Sequence, residues 1–194
     1  MRTLIVAIAG AVLGLVLAGV AALGYVRMSG LESRSVPGPM ETRVARAARR
    51  WAVPAEVRNR RSPVPATPEA LVEGMSHFAD HCASCHDNDG SGHTEMGRGL
   101  FPKAPDMRLP ATQQLSDGEL FWVIENGIRF TGMPAWSTGT TAGEASSWHL
   151  VQFIRHLPAL TANEIDAMKQ VNPRSPEEIR QEIEEARFLN EGAQ

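Results

Sequence analysis

Two cysteines and a histidine stand together in the stretch Cys82-Ala83-Ser84-Cys85-His86. This spacing is typical of covalent attachment of a c-type haem, because two thiols three positions apart can add to the two vinyl groups of one porphyrin edge. The histidine directly after the second cysteine can then bind the iron as its proximal ligand. The stretch therefore predicts one covalent haem c, attached through Cys82 and Cys85 and ligated by His86.

Other interpretations of a cysteine pair fit this chain less well. A thioredoxin-like redox motif belongs near a βαβ pattern, and the sequence predicts no strand. Half of a zinc site would need a second pair of ligands at similar spacing, but the chain has only two cysteines. A disulfide between residues three apart would constrain almost no loop entropy. Haem attachment remains the favoured interpretation.

The charges are divided unevenly along the chain, although the formal net charge is only −3. Residues 27–61 hold nine arginines and three glutamates, a net +6. Residues 62–194 hold nine basic and nineteen acidic residues, a net −10. Nucleic-acid binding is a poor fit, because the acidic part would repel phosphate.

The N-terminal run from Leu4 to Val26 contains 23 residues without a charge. As a helix it would be about 34 Å long, enough to cross a hydrocarbon core of about 30 Å. A cleaved signal peptide is the competing interpretation, but the run is longer than the usual apolar region of such peptides. The arginines after the run oppose the positive-inside rule, although large domains cross membranes largely regardless of charge. We expect an uncleaved transmembrane signal-anchor.

The remaining patterns predict helices throughout, and hence an all-α protein. Between the apolar run and residue 67, the pattern of residues 42–51 predicts a short basic helix, which lies either on anionic headgroups or, as we favour, in a solvated spacer. Capping patterns predict helix starts at Thr67, Ser116, Thr161 and Ser175, and a core helix over about 143–157. The predicted division is a signal-anchor over 1–26, a basic Pro/Arg-rich linker over 27–66, a compact domain over 67–160 and a charged helical extension over 161–194.

The second iron ligand decides the function of a haem protein. Iron with one protein ligand can bind gases or peroxide, whereas iron with two mostly carries electrons. Met133 lies between Gly132 and Pro134 in a predicted loop between two helices, which suits a sulfur held at fixed distance. Met96 and Met107 are the next candidates, and ligation by two histidines is less favoured. The sequence therefore favours His86 and Met133 as the iron ligands.

The segment 67–158 resembles the class I cytochrome c domains of bacteria, especially single-haem modules like those of cbb3-type oxidase subunits. The resemblance rests on CASCH, on Gly74 and Phe78 four positions apart, on Ala104-Pro105-x-Met107 and on Gly132-Met133-Pro134. It implies a small all-α fold around one covalent haem. It also implies that Cys82 and Cys85 carry the thioethers, that His86 is proximal and that Met133 is distal.

Two positioning roles follow from the same resemblance. Pro105 resembles the proline whose carbonyl accepts the imidazole N–H of the proximal histidine, which would fix the ring orientation. The first and last core helices would cross at Gly74, with Phe153 as the aromatic residue packed there.

These observations predict an electron carrier rather than an enzyme. The haem domain would be tethered to the outer face of the bacterial cytoplasmic membrane and would exchange single electrons with membrane-associated redox proteins. The alternative is a haem enzyme or gas sensor with an open or displaceable sixth iron site. A third possibility is a dedicated subunit of a larger redox complex.

Overall fold

The computed structural model describes residues 2–173 and 176–191, which fall into two compact units divided between Ser35 and Val36. All regular structure in the described residues is helical, which confirms the all-α prediction. The elements are α1 (Arg2–Ser29), α2 (Pro39–Ala52), α3 (Ala55–Arg58), α4 (Pro68–His77), a π turn (Phe78–Cys82), α5 (Ala83–His86), α6 (Glu95–Gly99), α7 (Pro110–Gln113), α8 (Asp117–Asn126), α9 (Thr141–His156), a 3-10 turn (Leu157–Ala159), α10 (Ala162–Lys169) and α11 (Pro176–Glu191).

The first unit is built on α1, a single helix of 28 residues. Its side chains are apolar around the whole circumference, with Arg2 and Arg27 near its two ends. A helix of this kind needs apolar surroundings on every side. At 1.5 Å per residue it is about 42 Å long, so it is compatible with membrane anchoring.

Helix starts in the second unit follow the predicted capping patterns. Thr67 Oγ1 accepts a hydrogen bond from the Ala70 amide at 3.2 Å. Ser116 and Thr161 each form a capping box with the glutamate three residues later. The predicted cap at Ser175 lies outside the described residues. These caps satisfy amides that an isolated helix would leave without partners.

The core is organised by the crossing of α4 and α9 at Gly74. A Cβ added to Gly74 would lie 2.2 Å from the carbonyl oxygen of His149 and 3.0 Å from Cβ of Phe153. The two helices therefore touch backbone to backbone, as predicted, and the ring of Phe153 packs against that of Phe78 with centroids 5.1 Å apart. Both rings are fully buried.

Helix α8 packs on the other side of α9. The rings of Phe121 and Trp148 stack with centroids 4.3 Å apart and planes 10° apart. The buried carboxylate of Glu125 accepts a hydrogen bond of 2.5 Å from the hydroxyl of Ser147, so this polar group is satisfied inside the core.

The second part of the predicted linker packs against the domain. Val53 is only 2% exposed. Ser116 Oγ donates to the carbonyl of Arg58 at 2.7 Å, and Gly118 lies so close to the Val57 carbonyl that an added Cβ would be 1.8 Å from it. The linker boundaries remain a prediction, but a solvated spacer does not describe residues 53–58.

The C-terminal extension begins with α10, whose Met168 is fully buried in the core cluster. In α11, Ile183 and Phe188 are 57% and 76% exposed. The sequence places Ile179, Ile183 and Ala186 in a thin apolar stripe along this helix, but the side chains of Ile179 and Ala186 lie outside those the structure describes. The first helix of the extension is thus part of the core.

Replacing Gly74 by alanine should lower the free energy of unfolding by about 1–3 kcal/mol, because the new methyl group meets backbone atoms of α9 that cannot move aside freely. Urea unfolding of the haem-loaded full chain in detergent, followed by circular dichroism, measures this change. Gly99→Ala is the control, since its added Cβ would meet no atom within 4 Å. A Gly74→Ala protein as stable as wild type would contradict the backbone contact.

Candidate haem-binding site

The cysteines and the histidine are delivered by one nearly continuous helical path. Helix α4 widens into the π turn Phe78–Cys82 and then continues as α5, Ala83–His86. Single π turns inside α-helices often occur at functional sites. The path ends where Asp87 takes a φ of +63°, which turns the chain away from the helix axis. Cys82, Cys85 and His86 therefore lie within little more than one helical turn.

Both cysteines are free thiols and are half-buried. Burial and, to a smaller extent, the neighbouring Cys85 together raise the pKa of Cys82 to about 12. Catalytic cysteines of disulfide oxidoreductases have lowered pKa values, which make them reactive thiolates. The environment of Cys82 has the opposite effect, so it does not favour a thioredoxin-like role.

The imidazole of His86 is held in a form that suits metal binding. Burial lowers its pKa, and the backbone of Pro105, acting as a hydrogen-bond acceptor, partly opposes this shift. The lowered pKa favours the neutral ring, which is the form that ligates a metal. Nδ1 is buried without a hydrogen bond of ordinary geometry. Since a ligating histidine commonly donates its other N–H to a carbonyl, the Pro105 backbone is the natural acceptor for it.

The segment between His86 and Pro105 folds back onto the cysteine helix. The amide of Gly92 donates to the carbonyl of His86 at 2.8 Å, and Thr94 Oγ1 donates to the carbonyl of Cys85 at 3.1 Å. A third hydrogen bond, from the Met107 amide to the Gly90 carbonyl, closes the segment at 2.8 Å. These bonds place Pro105 beside the His86 ring despite the twenty residues of chain from one to the other.

Arg108 links two carboxylates of this segment. It forms ion pairs of 2.8 Å with both Asp89 and Asp106. The hydrogen bonds from Arg108 lower the pKa of Asp106. Asp89 is thus engaged by a guanidinium.

The loop that carries Met133 is fixed to the end of α8. The Met133 carbonyl accepts from the Ile128 amide at 3.1 Å, and its own amide donates to Thr131 Oγ1 at 3.1 Å. Trp136 donates its amide to the carbonyl of Ile124 at 3.0 Å. Met133 is therefore half-buried in a loop whose backbone is held on both sides of it.

Two contacts bring this loop to the haem motif. The ring of Trp136 stacks on that of His81, directly before Cys82, with centroids 5.1 Å apart and planes 23° apart. Gly132 lies directly against the side chain of Leu100 in the segment that folds back from His86. The loop of Met133 thus contacts both the cysteine helix and the segment that leads to Pro105.

The family model described as cytochrome C oxidase, cbb3-type, subunit III matches residues 69–154. The match supports a cbb3-type cytochrome c domain over this segment. Such a domain implies haem c and a part in electron transfer rather than in catalysis. The match contains Cys82, Cys85, His86, Pro105 and Met133. No curated protein matches the chain.

The other candidate iron ligands have different surroundings in the cytochrome domain. Met107 is 7% exposed and belongs to the core cluster, whereas Met96 is 58% exposed. His156 pairs with Glu164 at 2.8 Å, and His81 stacks on Trp136. These contacts give His156 and His81 partners of their own.

Sequence reasoning missed the stack of His81 and Trp136. The two residues are 55 positions apart, and no periodicity connects them. The available signal was their placement, one residue before Cys82 and three residues after Met133.

Arg108→Gln should weaken the cytochrome domain at neutral pH and matter less in acid. The folded pKa of Asp106 lies below the unfolded value of about 3.9, so the stabilisation is complete above that value and is lost as the pH falls through the folded pKa. Because the pair is partly exposed, we expect a loss of about 1 kcal/mol and a fall of a few degrees in Tm at pH 7.

Thermal unfolding of the haem-loaded chain from pH 7 to pH 3 measures this difference, which should shrink below about pH 4. Arg129→Gln is the control, because it removes the same charge from an exposed arginine that does not pair with Asp89 or Asp106. A constant difference across the pH range would contradict the role of the ion pairs.

Proposed function

We propose that this chain is a membrane-tethered single-haem c-type cytochrome that carries single electrons between redox partners. The observation that carries the proposal is the meeting of two free thiols, a half-buried imidazole with a lowered pKa and the Met133 loop around one helical turn. This donor set fits haem c, since it offers two attachment points, one proximal nitrogen and one thioether sulfur.

Each of these residues has one role in the proposal. Cys82 and Cys85 form the thioether attachments, and His86 is the proximal ligand. Pro105 orients the His86 ring by accepting its Nδ1–H, and Met133 is the distal ligand. Bound haem would supply a one-electron couple between ferric and ferrous iron. Met133 would favour the ferrous side, and burial of the surrounding apolar side chains would act in the same direction.

The surroundings of the domain support a tethered carrier. Helix α1 would span the cytoplasmic membrane once, with the haem domain on its outer face. This tether would raise the effective concentration of the domain near membrane-associated redox proteins. The −10 charge of residues 62–194 would steer the domain toward basic docking surfaces, at rates that fall as salt rises.

Met133→Ala tests the function directly. Wild-type ferric protein should show the weak sulfur-to-iron charge-transfer band, and the variant should lose it because alanine offers no ligand. Optical spectra of the two purified haem-loaded proteins make the measurement.

Met96→Ala is the matched control, since this exposed methionine is the alternative ligand outside the core. Loss of the band in Met96→Ala rather than in Met133→Ala would identify Met96 as the distal ligand. Absence of the band from wild type would favour an open or histidine-filled sixth site, and with it a gas sensor or haem enzyme.

Trp136→Ala should loosen the Met133 loop without removing the sulfur. An aromatic ring pair is worth about 0.5–1.5 kcal/mol, so opening of the loop should become about 2- to 10-fold more frequent. The rate of carbon monoxide binding to the ferrous protein should rise by that factor.

Phe130→Ala serves as the control for the loop, because this residue of the same loop is 94% exposed. It should leave the carbon monoxide rate near that of wild type. Equal rates for Trp136→Ala and wild type would mean that the stack does not hold the distal ligand in place.

A further inference from the structure

Helix α2 has an apolar face and a basic face. Met40, Val44, Ala47 and Trp51 lie at intervals of four, three and four residues, which places them on one side of the helix. Of these, Met40, Val44 and Trp51 are 69%, 61% and 88% exposed. An exposed tryptophan in line with two other large apolar side chains indicates a surface that something covers.

The side of α2 opposite the apolar face is the less exposed one. Thr42 and Arg49, seven residues apart, are half-buried. Burial lowers the pKa of Arg49, and the nearby carboxylate of Glu119 in α8 opposes this shift. Since Arg49 precedes Trp51 by two residues, their side chains point about 200° apart around the helix. The apolar face is therefore turned away from the cytochrome domain.

The end of α2 is held as well. Arg58 donates from one guanidinium nitrogen to the carbonyl of Arg50 at 3.3 Å and to that of Val53 at 3.1 Å. Val53, the residue directly after the helix, is 2% exposed. These contacts hold the C-terminal end of α2 against the segment that packs on α8. Within the part of the chain that the structure describes, this face remains exposed.

The charge of α2 shows what kind of surface would cover it. The helix has four arginines and one glutamate. Arg43, Arg46 and Arg50 are exposed along one flank of the apolar face. Arginine side chains can lay their apolar stems along a membrane while the guanidinium reaches the phosphates. A surface with an apolar interior beneath a layer of negatively charged groups would match both the apolar face and the basic face of α2.

The chain itself favours a bilayer over another protein surface. Only nine residues separate Ser29 at the end of α1 from Pro39 at the start of α2. Even fully extended, nine residues span at most about 32 Å. An α1 helix in a membrane would thus keep α2 close to the same headgroups. Tryptophan is also the side chain that most often lies at this depth.

We propose that α2 is an interfacial helix that binds anionic phospholipid headgroups of the membrane in which α1 is anchored. Met40, Val44 and Trp51 enter the boundary between headgroups and acyl chains, and Arg43, Arg46 and Arg50 contact lipid phosphates. This inference rests on the proposed membrane tether. Because the end of α2 is joined to the domain through Arg58 and the buried Val53, its binding also restricts how the haem domain lies on the membrane.

The test uses the haem-loaded full chain in lipid nanodiscs, made either of phosphatidylcholine alone or with phosphatidylglycerol added. A spin label is placed on Trp51→Cys, and on Ala45→Cys as the matched control. Ala45 lies on the same helix about 120° away from Trp51. Both native cysteines are occupied by haem in the loaded protein, so the label reacts at the new cysteine alone.

In anionic nanodiscs, the label at position 51 should be several-fold more accessible to oxygen, relative to a water-soluble nickel chelate, than the label at position 45. The difference should shrink in phosphatidylcholine alone. It should also shrink when Arg43, Arg46 and Arg50 are all replaced by glutamine in the labelled Trp51→Cys chain.

Equal accessibility of the two positions to the nickel chelate in anionic nanodiscs would overturn the proposal. So would exclusion of both oxygen and nickel from position 51, which would instead indicate a protein partner or a second copy of the chain. The haem spectrum and retention in the nanodisc after a salt wash are recorded on every sample. Loss of the chain from the discs would overturn the tether and α2 binding together, whereas a retained chain with an exposed label would overturn α2 binding alone.

Discussion

The backbone contact between α4 and α9 at Gly74 is the constraint on which the rest of the cytochrome domain depends. Helix α4 leads without interruption to Cys82, so its position against α9 sets the position of the haem motif. Helix α9 begins soon after the Met133 loop, so the same contact also sets the position of the C-terminal end of that loop. A side chain at position 74 would separate the two helices and displace both groups of residues from each other.

Burial shifts the pKa values of two groups on the cysteine helix in opposite directions. Removing water disfavours charge, which raises the pKa of the Cys82 thiol and lowers that of the His86 imidazole. Both groups are therefore neutral near pH 7. A neutral imidazole can ligate iron at once, and a protonated thiol is protected from unwanted oxidation. The same apolar packing that stabilises the fold thus prepares the chemical state of the site.

Local signals predicted much of this structure. Capping residues gave the starts of α4, α8 and α10, because their hydrogen bonds involve residues three positions apart. Spacing alone gave the haem motif, and the resemblance to cytochrome domains gave the crossing at Gly74. The π turn, the packing of Val53 and the stack of His81 on Trp136 were not predicted. The last two depend on how distant segments meet, and no pattern within one segment records that. The iron ligands and the role of Pro105 remain predictions.

The packing of residues 53–58 on α8 shortens the free part of the linker between α1 and the cytochrome domain. A free linker of forty residues over 27–66 would have a root-mean-square span of about 35 Å, whereas the nine residues between α1 and α2 span about 17 Å. The volume explored scales with the cube of that span, so it shrinks roughly ninefold. If α1 lies in a membrane as proposed, a redox protein inside this reach would meet the haem domain about ninefold more often, and one outside it would rarely do so. The contacts of residues 53–58 with α8 would therefore select redox partners by distance.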